Sequence, residues 1–123
     1  MTGPTFGAAL TCIDGRITGL VVEHLRTTWG VDHVDVVTTP GPETSSGLAA
    51  PHLWEALQVS VERHGTHDVA VVGHTDCAAN PAADDDRRSQ IRDAVAVART
   101  RLPGTTVTGW LAHTHEQRLE EVA

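Results

Sequence analysis

The run Val69-Ala70-Val71-Val72, closed by Gly73 and followed at once by His74-Thr75-Asp76-Cys77, restricts the fold more than any other feature of the chain. A half-exposed strand would alternate apolar with polar residues. A continuous apolar run instead predicts a central strand covered on both faces, as in parallel sheets with a helical layer on each side. The neighbouring segments can supply those layers. Phe6 to Thr11 is a second short apolar run, ending at the polar stretch Cys12-Ile13-Asp14-Gly15-Arg16. From Ile17 to Trp29, apolar residues recur at Ile17, Leu20, Val21, Leu25 and Trp29, one helical stripe with Gly30 as its stop. Val34, Val36 and Val37 mark a strand within Asp32 to Thr39, closed by Pro40-Gly41-Pro42, and Glu43 to Gly47 reads as a polar loop.

Pro51 suits the first turn of a helix that carries Leu53, Trp54, Leu57 and Val61 inward and stops at Gly65. Asp84-Asp85-Asp86 at one end and Arg99 with Arg101 at the other match a helix dipole, around the stripe Ile91, Val95, Ala98 and Leu102. Thr106 to Ala112 is predicted as a fourth strand. His113 to Ala123 reads either as a polar turn with a short edge strand at Leu119 to Val122 or as a frayed tail. The predicted class is α/β: a central, mostly parallel sheet of four strands flanked by helices.

At 123 residues the chain is expected to form one domain spanning 1–123. Its 16 acidic and 9 basic residues give a net charge of -7, which repels phosphate and anionic lipid, so neither nucleic acid nor a membrane surface is an expected partner. No apolar stretch approaches the roughly 20 residues of a membrane span. Met1 to Leu10 lack a basic start and a long apolar core, which predicts a cytoplasmic protein. Two cysteines are too few for a disulfide scaffold, and in a reducing compartment they serve as buried hydrophobes, metal ligands or nucleophiles. Faces bearing Trp29, Trp54 and Trp110 are expected to need a partner, for which closed two-fold pairing is the commonest solution.

A parallel sheet brings the carboxyl ends of its strands to one edge. Cys12 then follows the first strand while His74 and Cys77 follow the third, so the three converge on the crevice where open α/β sheets bind ligands. Two thiolates and an imidazole suit zinc, and three protein ligands with a fourth position free is the pattern of a catalytic site. Asp14 is close enough to reach the metal or to hydrogen-bond a water on it, and Arg16 could hold that carboxylate in a bidentate pair; the first and last outcomes exclude one another. His113 and His115 have a chelating spacing but read as a solvated pair near the chain end, and Asp84 to Asp86 read as a solvated helix start. His24, His33, His52, His64 and His67 read as surface histidines.

With Cys12-Ile13-Asp14-Gly15-Arg16 and Val71-Val72-Gly73-His74-Thr75-Asp76-Cys77, the chain resembles the β-class carbonic anhydrases and the related carbonyl sulfide and carbon disulfide hydrolases. Val107-Thr108-Gly109-Trp110-Leu111 looks like that family's last parallel strand and Leu119 to Val122 like its short antiparallel edge strand, so the likeness runs from about Phe6 to the end. The resemblance implies zinc on Cys12, His74 and Cys77, with Asp14 as a fourth ligand in a closed state, and a catalytic dyad of Asp14 and Arg16 that gates the metal site. It implies reversible hydration of carbon dioxide to bicarbonate by a zinc-bound hydroxide in a homodimer or higher homo-oligomer. Thr39-Pro40-Gly41-Pro42-Glu43 stands where members commonly carry Arg-Asn-Ala-Gly, and Ala78 replaces a usual glycine. A remodelled pocket at Thr39 to Ser46 leaves two alternatives: a hydrolase of carbonyl sulfide or carbon disulfide on the same zinc, or a zinc-binding subunit without turnover.

Overall fold

The computed structural model describes residues 3–123. In chain order its elements are β1 (Phe6–Thr11), α1 (Gly15–Trp29), β2 (His33–Thr38), α2 (Ser45–Leu48), α3 (Pro51–His64), β3 (Asp68–His74), α4 (Asp84–Arg101), β4 (Thr106–His113) and β5 (Arg118–Glu121). The apolar run does sit in a strand covered on both sides. Val69 and Val71 join a core with Leu10, Leu53, Leu57 and Ile91, under α3 and α4. Ala70 and Val72 point the other way, into a second core with Ile17, Val21 and Leu25 of α1. Each fully buried Val, Leu or Ile among these contributes about 1.5–3 kcal/mol, which makes the two-sided burial of β3 the anchor of the fold.

The sheet order is β2-β1-β3-β4-β5. β1 to β4 are parallel, and β5 runs antiparallel to β4 with His113 opposite Arg118 and Trp110 opposite Glu121. From β1 the chain moves outward through α1 to β2, then returns past β1 through α3 to β3. The order therefore reverses between β1 and β3, and the carboxyl ends of that pair flank the crevice where ligands of such sheets bind.

Several boundaries differ from expectation for local reasons. α1 starts at Gly15, two residues ahead of its apolar stripe, because Asp14 caps it: the Asp14 Oδ1 accepts from the Arg16 backbone N–H at 2.9 Å. The helix ends at Gly30 in the left-handed region, φ 64°. Within the predicted polar loop, Thr44 caps the short α2 by accepting from Gly47 N–H at 3.0 Å. The C-terminal segment is a paired hairpin rather than a frayed tail, and β5 begins one residue before the predicted edge strand.

Of the three tryptophans one is buried and two are partly buried within the chain. Trp110 is buried, Trp54 packs on the α3/α4 core and donates to the Leu48 carbonyl at 3.0 Å, and Trp29 packs on the α1 core. Among the described residues no helix is long and apolar enough to cross a membrane.

Candidate metal centre

Cys12 leaves the end of β1, His74 closes β3, and Cys77 follows in the next turn. Their Sγ, imidazole nitrogen and Sγ atoms lie within 4.8 Å of one another, and all three residues are buried. The two sulfurs are 4.0 Å apart, too far for a disulfide bond, and both cysteines are free.

The imidazole of His74 is fixed in one tautomer. Its Nδ1 lies 2.8 Å from the Thr75 carbonyl oxygen, which can only accept, so Nδ1 carries the proton. Thr114 Oγ1 lies 3.1 Å from the same nitrogen and itself donates to the Thr75 carbonyl at 2.5 Å. The opposite nitrogen, Nε2, is left with its lone pair, buried and without a hydrogen-bond partner. Burial pushes the His74 pKa down, which keeps the ring neutral. Burial likewise pushes the Cys77 thiol up, with Cys12 and Glu43 nearby adding to the effect. An orphaned, neutral imidazole nitrogen beside two buried sulfurs is a donor set of the kind that could hold a metal ion.

Asp14 stands outside this cluster. Its carboxylate is engaged by Arg16: Nε donates to Oδ1 at 3.0 Å and Nη2 to Oδ2 at 2.7 Å. Those hydrogen bonds hold the Asp14 carboxyl far below the usual carboxylate range. The nearest Asp14 oxygen is 3.9 Å from His74 Nε2, so the carboxylate borders the metal position while paired elsewhere. In the structure the Asp14 carboxylate is paired with Arg16.

A cavity of about 240 Å³ opens over Cys12, Asp14 and His74, rimmed by Ile13, Pro40 and Ala78. Ile13 is 61% exposed, an apolar side chain at the mouth. A second cavity of about 490 Å³ lies on the Cys77 side and is lined by Arg16, Asp76 and Arg87. Of the paired histidines, His113 is buried against Glu120, with Nε2 to Oε1 at 2.9 Å, and the exposed His115 lies 3.3 Å from Asp76 Oδ2. Neither belongs to a metal cluster among the described residues.

Sequence reasoning passed over four residues. Asp76 binds the Arg16 guanidinium, Thr114 supports His74, Gln117 donates to the Arg16 carbonyl, and Glu43 is buried at 2% exposure with neither carboxylate oxygen partnered. Burial pushes the Glu43 pKa up. The Glu43 side chain occupies the space a side chain at Gly73 would need. Asp76 lies in plain view between two of the candidate ligands; the contacts of Thr114 and Gln117 depend on a hairpin whose register no local pattern announces.

Comparison with known proteins agrees with this architecture. A family model described as "Putative carbonic anhydrase" matches residues 2–122. No curated protein matches the chain. Among solved structures, carbonic anhydrase from Streptococcus mutans superposes with a TM-score of 0.71 at 17% identity, over 100% of this chain and 87% of that one. The apo form of a carbon disulfide hydrolase gives 0.67 at 15% identity, over 95% and 78%. One of two tetrameric β-carbonic anhydrases from Sordaria macrospora gives 0.69 at 12% identity, over 97% and 81%. At these identities the likeness to solved structures speaks for the fold.

Proposed function

The chain belongs to the carbonic anhydrase family whose model spans residues 2–122, and from that premise we propose that it binds one zinc ion through Cys12, His74 and Cys77 and hydrates carbon dioxide reversibly to bicarbonate. The observation that carries the reading is the buried, partnerless Nε2 of His74 beside two free thiols. Two thiolates on one tetrahedral zinc ion would stand about 3.8 Å apart, against a sulfur separation of 4.0 Å here. When bound, zinc supplies a Lewis acid that brings the pKa of a coordinated water towards about 7.

The remaining work falls to the chain. Thr75 and Thr114 keep the proton on Nδ1 of His74 and leave Nε2 free to ligate. Arg16 keeps the Asp14 carboxylate turned towards its guanidinium, which would leave a fourth position at the metal accessible, and the carboxylate remains 3.9 Å from His74 Nε2, placed to accept a hydrogen bond from a group arriving there. Ile13, Pro40 and Ala78 present apolar surface to a small uncharged substrate, while the Arg16 side suits a charged product. A homo-oligomer, dimer or higher, belongs to the same proposal, supported by the tetrameric Sordaria macrospora enzymes.

The apolar mouth also favours a second reading, hydrolysis of carbonyl sulfide or carbon disulfide on the same centre. Stopped-flow assays of zinc-loaded parent and Arg16→Ala proteins with each of the three substrates separate the two. Carbon dioxide hydration that falls about 10- to 100-fold in Arg16→Ala at unchanged zinc is the expected result. Turnover of only the sulfur substrates would select the second reading, and turnover of none would leave a zinc-binding subunit.

A further inference from the structure

Among the described residues, only Asp76 and Gln117 combine a side chain with a left-handed backbone, at φ 56° and 54°. They lie 41 positions apart, in the bend after β3 and in the β4–β5 turn, and both contact Arg16. Arg16 Nη1 donates to Asp76 Oδ2 at 3.1 Å, and Arg16 Nη2 donates to the Asp76 carbonyl at 3.1 Å. From the β4–β5 turn, Gln117 Nε2 donates to the Arg16 carbonyl at 3.1 Å and to the Thr114 carbonyl at 2.6 Å.

A tight turn that needs a left-handed residue is satisfied at least cost by glycine. Glutamine has no local preference for that region, so the turn geometry explains the conformation but not the residue. What glutamine adds is an amide long enough to reach α1. Asp76 is left-handed too, a conformation that aspartate tolerates better than glutamine does, and its carbonyl and carboxylate both face the guanidinium. Left-handed non-glycine residues concentrate where the surrounding structure uses them, and here both converge on one arginine.

We propose that Asp76 and Gln117 are positioning residues that clamp Arg16 from two sides and so hold the Asp14–Arg16 pair in the orientation that keeps the Asp14 carboxylate off the metal position. The inference rests on the dyad reading given above and extends it to two residues outside the motif. Asp76 fixes the guanidinium end and Gln117 the backbone end, so loss of either leaves Arg16 with freedom to release Asp14. The hydroxyl of Thr114 and the backbone N–H of Gln117 tie the same turn to β3 and β4, through Thr75 and His113, which makes the turn a rigid base for the clamp.

The test uses Asp76→Gly and Gln117→Gly, because glycine suits a left-handed backbone while deleting the side-chain contact, the Asp76 carboxylate on Arg16 Nη1 or the Gln117 amide on the Arg16 carbonyl. In zinc-loaded, ¹⁵N-labelled protein, hydrogen exchange at the Arg16 side-chain Nε–H is read by NMR. Melting temperature, zinc content and carbon dioxide hydration are measured on the same samples, with Arg16→Ala alongside. The expected result is exchange about tenfold faster and hydration about tenfold slower at equal zinc, with Tm unchanged or raised within about 4 °C. Parental exchange and rate in both variants would overturn the clamp, as would a fall in Tm matching the loss of rate, which would mark a merely structural role. Arg16→Ala with parental hydration would instead overturn the dyad reading on which the clamp stands.

Discussion

The tips of β1 and β3 and the turn between β4 and β5 meet at the same site and are built in opposite ways. At the tips, Cys12, His74 and Cys77 are buried and leave the His74 Nε2 lone pair without a partner. In the turn, Gln117 accepts a left-handed backbone and spends its side-chain amide on two carbonyls, while Thr114 bonds Thr75 and His74. One region keeps its donors free for a ligand; the other uses its donors to fix the first. The candidate ligand set and the contacts that orient it are thus carried by residues far apart in sequence.

Thr114 is where the two regions touch, so removing its hydroxyl is the strongest way to break the contrast. Thr114→Val keeps the shape and β-branching but leaves His74 Nδ1 with the Thr75 carbonyl alone. Zinc affinity is expected to fall about 10- to 100-fold, the usual effect of losing an outer partner of a ligating histidine, read by competition with a chelator of known affinity. Unchanged affinity would mean that the turn does not support the ligand.

A smaller effect belongs to the opposite flank, where Glu43 is buried and unpartnered, with burial raising its pKa above the ordinary value of 4.5. A carboxyl with a raised pKa in the folded state stabilises the protein below its unfolded pKa, and that contribution is lost as pH rises through the folded value. Glu43→Gln removes the titration. The variant is expected to gain stability over the parent, by about 1–2 kcal/mol at neutral pH, with the gain shrinking as pH falls towards 4.5. Denaturant melts at several pH values measure it, and a gain independent of pH would show that Glu43 is not a buried titrating group.

The unequal legibility of the two regions follows from their physics. The strands and the ligand motif announce themselves locally: Val69 to Val72 demands burial on both faces, and parallel pairing then carries Cys12 and His74 to one edge without knowledge of any side-chain contact. α1 starts two residues ahead of its apolar stripe because its signal is the Asp14 cap and not the stripe. α2 was missed because four residues with one buried glycine carry no periodicity. Glu43 is charged in a segment of turn formers, and its burial depends on Gly73, 30 positions away, leaving room for it. Gln117 gives no turn signal at all, since its conformation is enforced by pairing on either side of it.

That three donors from two strand tips hold one ion is tested most directly by zinc content, from elemental analysis of purified parent and His74→Ala proteins. About one zinc per chain in the parent and most of it lost from the variant, with the fold retained by circular dichroism, is the predicted result. Full zinc in His74→Ala would contradict the ligand assignment.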